Sequence, residues 1–146
     1  MEEKIKLMID GVVVEVEKGK TVLEAARIAN IDIPTLCFLK EINEVGDCRM
    51  CIVEVEGRRG FATSCITKVE EGMVVHTNTP AVVEARRVVL DLIVSNHKID
   101  CLKCIRNGNC ELQELCKRFN IQDIEFAGEM QSHKIDDLST SIVRIA

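Results

Sequence analysis

Eight cysteines and one histidine carry the chemistry available to these 146 residues, and they fall into two groups. Cys37, Cys48, Cys51 and Cys65 are spaced C-x10-C-x2-C-x13-C. His97, Cys101, Cys104 and Cys110 read H-x3-C-x2-C-x5-C, with Cys116 six residues further on. Thiolate and imidazole are the commonest protein ligands for zinc and iron, and a disulfide framework has no use for the histidine. Two ligands separated by two residues can chelate one centre from a tight turn, and the outer pair closes the coordination from neighbouring segments. Gly46 lets the backbone of the first group approach closely, so successive loop N–H groups can point at sulfur and stabilise negative charge there. Four thiolates also suit a structural zinc. A single C-x2-C leading straight into a strand, after a long glycine-containing loop, favours iron–sulfur, because zinc ribbons more usually offer two such knuckles.

The elements that must hold these groups are legible on either side of them. Residues 5–9 and 12–16 are β-branched runs joined by Asp10-Gly11, a strong signal for a two-residue hairpin. Thr21 and Glu24 fit a capping box that opens a helix, with Leu23, Ala26 and Ile28 on its buried side. Residues 36–51 read as an irregular loop carrying three cysteines. Residues 52–55 and 61–66 read as antiparallel strands around a turn at 57–60, and residues 74–76 as one more strand. The fold class expected is α+β, a small mixed sheet with a helix across one face. A second unit opens at Thr79-Pro80, an N-cap followed by proline at the first helical position. Val82, Ala85, Val89, Leu92 and Ile93 recur behind it at helical spacing. A third helix is expected from Cys110 through Leu112, Leu115 and Phe119, and the periodicity fades after Asn120. The domains expected are thus 1–78, 79–119 and a polar tail over 120–146.

Composition narrows the function. With 47% apolar and 29% charged residues the chain belongs with soluble globular proteins. No apolar run approaches a membrane span and the first four residues do not open a signal peptide, so a cytoplasmic location is expected. Thiols stay reduced there, and dense cysteine clusters point to metal before disulfides. The net charge is −5, with 10 basic against 14 acidic side chains over residues 1–78 and 9 against 10 over 79–146. Neither half has the basic patch of a nucleic-acid binder, and there is no Trp or Tyr to stack on bases. There is no Ser/His/Asp or Cys/His catalytic set, no phosphate-binding glycine loop and no dinucleotide fingerprint.

Residues 18–37 (KGKTVLEAARIANIDIPTLC), 46–57 (GDCRMCIVEVEG) and 62–65 (ATSC) resemble the ferredoxin-like (β-grasp) N-terminal domain of a group of electron-transfer proteins. These are multicluster FeFe-hydrogenases, the large iron–sulfur subunit of respiratory complex I, and related NAD-linked hydrogenase and formate dehydrogenase subunits. The resemblance covers nearly the whole chain. It implies that Cys37, Cys48, Cys51 and Cys65 bind one 2Fe–2S cluster. It also implies that His97, Cys101, Cys104 and Cys110 bind one 4Fe–4S cluster in a small helical domain. Neutral imidazole in place of a thiolate removes one negative charge from that site, so its potential should rise. The other ring nitrogen of His97 should need a hydrogen-bond partner. Cys116, about 120° round the helix from Cys110, reads as a small buried hydrophobe. His76, His133, Asp136 and Asp137 read as surface; Arg49, Met50, Lys103 and Arg106 flank the sites as solvated, packing or charge-balancing residues.

The function expected is a relay of single electrons within an FeFe-hydrogenase or NADH-linked oxidoreductase. The partners expected are other redox subunits or domains: a hydrogenase catalytic subunit, a flavin- and NADH-oxidising subunit, or a ferredoxin. The acidic first half could orient a partner with a basic face. Relatives continue past a segment like residues 139–144 into further cluster domains, so the expectation is a small free-standing subunit or an N-terminal piece without a catalytic site of its own. A structural zinc module that scaffolds a complex is the alternative.

Overall fold

In the computed structural model, residues 4–126 and 128 are described. Strands β1 (Lys4–Ile9) and β2 (Val12–Glu17) pair in antiparallel register from Lys4 opposite Glu17 to Ile9 opposite Val12. Asp10 and Gly11 take φ of 49° and 83°, the left-handed pair that a two-residue hairpin of this hand requires. Helix α1 (Val22–Ile28) follows, then the long cysteine loop, β3 (Ile52–Val55), β4 (Phe61–Thr63) and β5 (Val74–His76). The sheet order is β2-β1-β5-β3-β4, with β1 and β5 parallel and every other neighbour antiparallel. Asp10 locks the parallel pair at its end. Its carboxylate accepts from the Thr77 backbone N–H at 2.7 Å and from the Thr77 hydroxyl at 2.5 Å.

Alternation along β1 sends Ile5, Leu7 and Ile9 inward, where they meet Val14, Val16, Val53, Val55 and Val75 from other strands. Val22, Leu23, Ala25 and Ala26 of α1 close this core. Ile28 does not join them: it is the last residue of the helix and is 59% exposed. The capping box forms as expected, with the Thr21 hydroxyl accepting from the Glu24 N–H and the Glu24 carboxylate accepting from the Thr21 N–H. Burial pushes the Glu24 carboxyl up, but the Thr21 N–H and the charges of Lys20 and Lys40 outweigh it and hold the group below the usual carboxylate range. The Glu24 half of the box is therefore complete above the ordinary carboxylate pKa and lost as pH falls through the depressed one. Thr21→Ala is expected to lower stability by about 1 kcal/mol in urea denaturation.

β4 stops at Thr63, three residues short of the strand expected over 61–66. The Thr63 carbonyl there accepts from the N–H groups of Ile66 and Thr67 and from the Thr67 hydroxyl, which turns the chain. That turn carries Cys65 back toward Cys51. It is the local reason the fourth thiol of the first group reaches its partners.

Helix α2 (Pro80–Ser95) is capped by Thr79, whose hydroxyl accepts from the Val82 N–H at 3.2 Å. The face it buries is Val82, Arg86, Leu90, Asp91 and Val94. Only Val82 of the five residues expected on that face is fully buried, and Leu92 is exposed. Asp91 accepts from the Glu125 N–H, which ties the chain beyond the last helix to α2. A short 3-10 turn (Cys101–Lys103) and helix α3 (Glu111–Arg118) complete the described chain. Arg118 pairs with Asp32 at 2.5 Å across the two units. Met50, Leu90, Val94, Leu115 and Phe119 form a second apolar cluster, with Leu36, Cys48, Leu112 and Cys116 packed against it. Met50 reaches it from the cysteine loop and is fully buried. No helix among the described residues is long and apolar enough to cross a membrane.

Candidate metal centres

The loop between α1 and β3 delivers Cys37, Cys48 and Cys51, and the turn after β4 delivers Cys65. The loop's own N–H groups face sulfur. Those of Cys48 and Asp47 donate to Cys37 Sγ, and those of Met50 and Cys37 donate to Cys48 Sγ. Their effect differs by site. Burial raises the Cys37 thiol, yet these N–H bonds and the Cys48 thiol more than offset it and leave Cys37 lowered. Burial dominates at Cys48, whose thiol is raised. Cys65 is pushed up to about 12 by burial, by its hydrogen bond with Cys51 and by the charges of Cys51, Cys37 and Cys48.

The four thiols therefore stand as two hydrogen-bonded pairs, Cys37 with Cys48 and Cys51 with Cys65. Among the described residues no three His, Cys, Asp or Glu side chains close on a point the size of one ion. Two pairs of sulfurs suit a core with two irons and two thiolates on each. All eight cysteines are free thiols in the structure.

Two residues expected only to flank the first site have definite positions here. Arg49 sits in the left-handed region at φ 58° and its Nη1 donates to the Thr63 hydroxyl at 2.7 Å. Met50 packs, as above. Gly46, at φ 71°, lies so close to the same strand end that a Cβ would meet Ile66 Cδ1 at 3.0 Å and Thr63 Cγ2 at 3.1 Å. Gly46→Ala is expected to lose about 1 kcal/mol or more of stability. The two neighbouring N–H groups that face Cys37 would shift with it, so visible absorbance per chain after reconstitution should fall as well.

The second group surrounds a cavity of about 260 Å³ lined by His97, Cys101, Cys104, Cys110 and Cys116, with Val94, Leu112, Ile121 and Ile124 as apolar wall. His97 follows the end of α2, its N–H donating to the Val94 carbonyl at 2.9 Å. The 3-10 turn holds Cys101 and leads to Cys104; Cys110 is the N-cap of α3. Arg106 Nε donates to the Asn109 carbonyl at 3.0 Å and folds the intervening loop. Lys103 pairs with Asp100 at 3.7 Å instead of facing the cavity. Three thiols and an imidazole around an apolar hollow fit a bulky sulfur-rich group. Cys116 is the residue whose place differs most from its sequence reading: it is half-buried, as a small hydrophobe would be, but it stands on the cavity wall. Burial raises its thiol, and the charges of Cys110 and Cys101 add to the rise.

His76, read as surface, is half-exposed with Nε2 2.9 Å from Glu56 Oε1. His133, Asp136 and Asp137 lie outside the described residues.

Residues 2–80 match the family described as 2Fe-2S iron-sulfur cluster binding domain. The chain belongs to that family. Residues 86–125 match the NADH-ubiquinone oxidoreductase-G iron-sulfur binding region. The chain is 47% identical to the NADP-reducing hydrogenase subunit HndD of Solidesulfovibrio fructosivorans over 145 residues, 96% of this chain and 25% of that protein. It is 41% identical to the NADH-ubiquinone oxidoreductase 75 kDa subunit of Reclinomonas americana over 111 residues, 76% of this chain and 16% of that one. A crystal structure of NAD+-reducing NiFe-hydrogenase in the H2-reduced state superposes with a TM-score of 0.80 at 29% identity, covering 86% of this chain and 53% of that one. The chain thus spans a quarter or less of the length of those two curated relatives. It has one 2Fe–2S domain of the β-grasp type and one 4Fe–4S region.

Proposed function

We propose that Cys37, Cys48, Cys51 and Cys65 hold the 2Fe–2S cluster and that His97, Cys101, Cys104 and Cys110 hold the 4Fe–4S cluster. In this reading each hydrogen-bonded thiol pair of the first site takes one iron. When bound, the clusters supply reversible one-electron storage without bond rearrangement in a substrate. The protein's own residues fix the donors, exclude water and fill the space between the sites.

The observation that carries the reading is the shared apolar cluster. Cys48 packs against it from the first site; Val94 belongs to it, Leu112 and Cys116 pack against it, and all three line the second cavity. Two redox sites thus border one close-packed, water-poor region, which is what a relay needs and what two unrelated structural metal sites do not. The proposed division into 1–78, 79–119 and a tail from 120 separates the two ligand sets, with Ile121 and Ile124 at the start of the tail still lining the second cavity. Leu102 and Ile105, 93% and 99% exposed beside Cys101 and Cys104, offer an apolar approach to the second site for another redox centre.

In this reading the chain has no catalytic site of its own and works in the cytoplasm inside a hydrogenase or NADH-linked oxidoreductase. Its partners are a hydrogenase catalytic subunit, a flavin- and NADH-oxidising subunit or a ferredoxin, with no nucleic acid among them. The relatives, subunits of a hydrogenase and of an NADH oxidoreductase by name, support that setting. Anaerobically purified protein is expected to be brown, with about six iron atoms per chain, two plus four. A colourless folded preparation with stoichiometric zinc would mean a scaffold module instead.

A further inference from the structure

Two buried side-chain polar atoms lack a hydrogen-bond partner among the described residues, Arg86 Nε and Ser64 Oγ. They come from different elements, yet both residues hold the chain at the same place. Arg86 Nη2, from the middle of α2, donates to the Ile52 carbonyl at 2.6 Å, one residue past Cys51. The Ser64 N–H donates to the Cys51 carbonyl at 3.1 Å, one residue before Cys65. Arg86 is 1% exposed and Ser64 is fully buried.

A guanidinium sealed from water needs an anion facing it, and among the described residues none lies within ion-pair distance of Arg86. Burial lowers its pKa to about 10, with the Arg118 charge adding. The Ile52 carbonyl that Arg86 holds and the Cys51 carbonyl that the Ser64 N–H holds are adjacent in the chain, so the uncompensated guanidinium lies beside the Cys51 and Cys65 pair. A sulfur-rich core held by thiolates carries net negative charge and has sulfur acceptors to offer.

We propose that Arg86 and Ser64 set the reduction potential of the 2Fe–2S centre, Arg86 by its fixed buried charge and Ser64 by its free hydroxyl donor. The inference rests on the ligand reading of Cys51 and Cys65 above. Reduction adds one electron from an external one-electron donor and makes the centre more negative by one charge. A positive charge held nearby in a low-dielectric interior favours that state over the oxidised one. The hydroxyl acts in the same direction, more weakly, as hydrogen bonds to cluster sulfur do.

A purely architectural role for Arg86, tying α2 to β3, makes a different forecast. It would affect folding or loading and leave the potential of a loaded centre alone. The test is an EPR-monitored redox titration of the 2Fe–2S signal in the full chain, poised with dithionite and mediators, for the wild type, Arg86→Met, Arg86→Lys and Ser64→Ala. At the wild-type midpoint, the ratio of reduced to oxidised centre is expected to fall about tenfold in Arg86→Met, a shift of roughly 59 mV for one electron. Arg86→Lys, which keeps the charge, should stay within about threefold of wild type, and Ser64→Ala should fall about threefold. Arg86→Met or Ser64→Ala titrating with the wild type overturns the proposal. Arg86→Lys falling as far as Arg86→Met overturns the charge argument. Should Arg86→Met not load, Ser64→Ala decides, since it removes one small buried atom. A wild type with no 2Fe–2S signal sinks the ligand reading itself and this inference with it, an outcome distinct from a loaded centre whose potential does not move.

Discussion

Cys65→Ala is expected to abolish the 2Fe–2S signal while the 4Fe–4S signal survives, so iron falls from about six to about four atoms per chain. The selectivity follows from where the residue comes from. Cys65 reaches the first site only through the turn that ends β4, and no element of the second site depends on it. Its side chain is 1% exposed and, in the metal-free chain, is held as a neutral thiol by burial and by Cys51. Alanine removes one sulfur from such a position and leaves the turn's hydrogen bonds, all of them through Thr63, Ser64 and Thr67, in place. The stability lost in the cluster-free protein should therefore be small, about 1 kcal/mol. Iron analysis with EPR reads the outcome directly. Loss of both signals would mean that the two sites assemble as one, and an intact 2Fe–2S signal would remove Cys65 from the ligand set.

Short-range chemistry in the sequence was enough for much of this architecture. Asp10-Gly11 with β-branched flanks leaves a two-residue hairpin as the natural outcome. Thr21 with Glu24, and Thr79 with Pro80, mark helix starts by the hydrogen bonds they can make. Long-range choices were less accessible. The α2 segment VVEARRVVLDLIV carries apolar residues nearly all the way round, so periodicity alone cannot say which stripe is buried. Docking against β3 and Met50 selects Val82, Leu90 and Val94, and that rotation takes Arg86 inside. An arginine four residues from Val82 and four from Leu90 was the available signal. It reads as solvent-facing until something shows what faces the charge. The length of β4 was hidden for a similar reason. Residues 64–66 have strand-like neighbours, but the Thr63 carbonyl captures the chain into a turn, and only the need to return Cys65 to Cys51 makes sense of it. Spacing made the two cysteine groups visible as metal-binding candidates, since a C-x2-C turn can chelate from one segment, but Cys37 and Cys65 are separated from it by ten and thirteen residues and only the family resemblance implied the full ligand sets.

The second site offers five donors for four positions, and substitution separates them. His97→Ala is expected to eliminate the 4Fe–4S signal, whereas Cys116→Ala should leave it within about twofold of wild type by EPR spin count. Geometry supports that order. His97 stands just past the end of α2, is exposed, and lines the same cavity as Cys101, Cys104 and Cys110. Cys116 sits in α3, packed against Leu90, Leu115 and the rest of the second apolar cluster. Its thiol is raised by burial, so forming the thiolate there opposes the same desolvation that buries it. A ligand must be the thiolate, and a site that already holds three would have to accept a fourth negative charge against an apolar wall. Neutral imidazole meets no such opposition. His97→Cys extends the argument: it should keep the cluster but make its potential more negative, because the first shell regains the charge that imidazole lacks. The potential of His97→Cys matching or exceeding the wild type would show that the imidazole is an anchor without an electrical role. Loss of the signal in Cys116→Ala with retention in His97→Ala would exchange the two assignments.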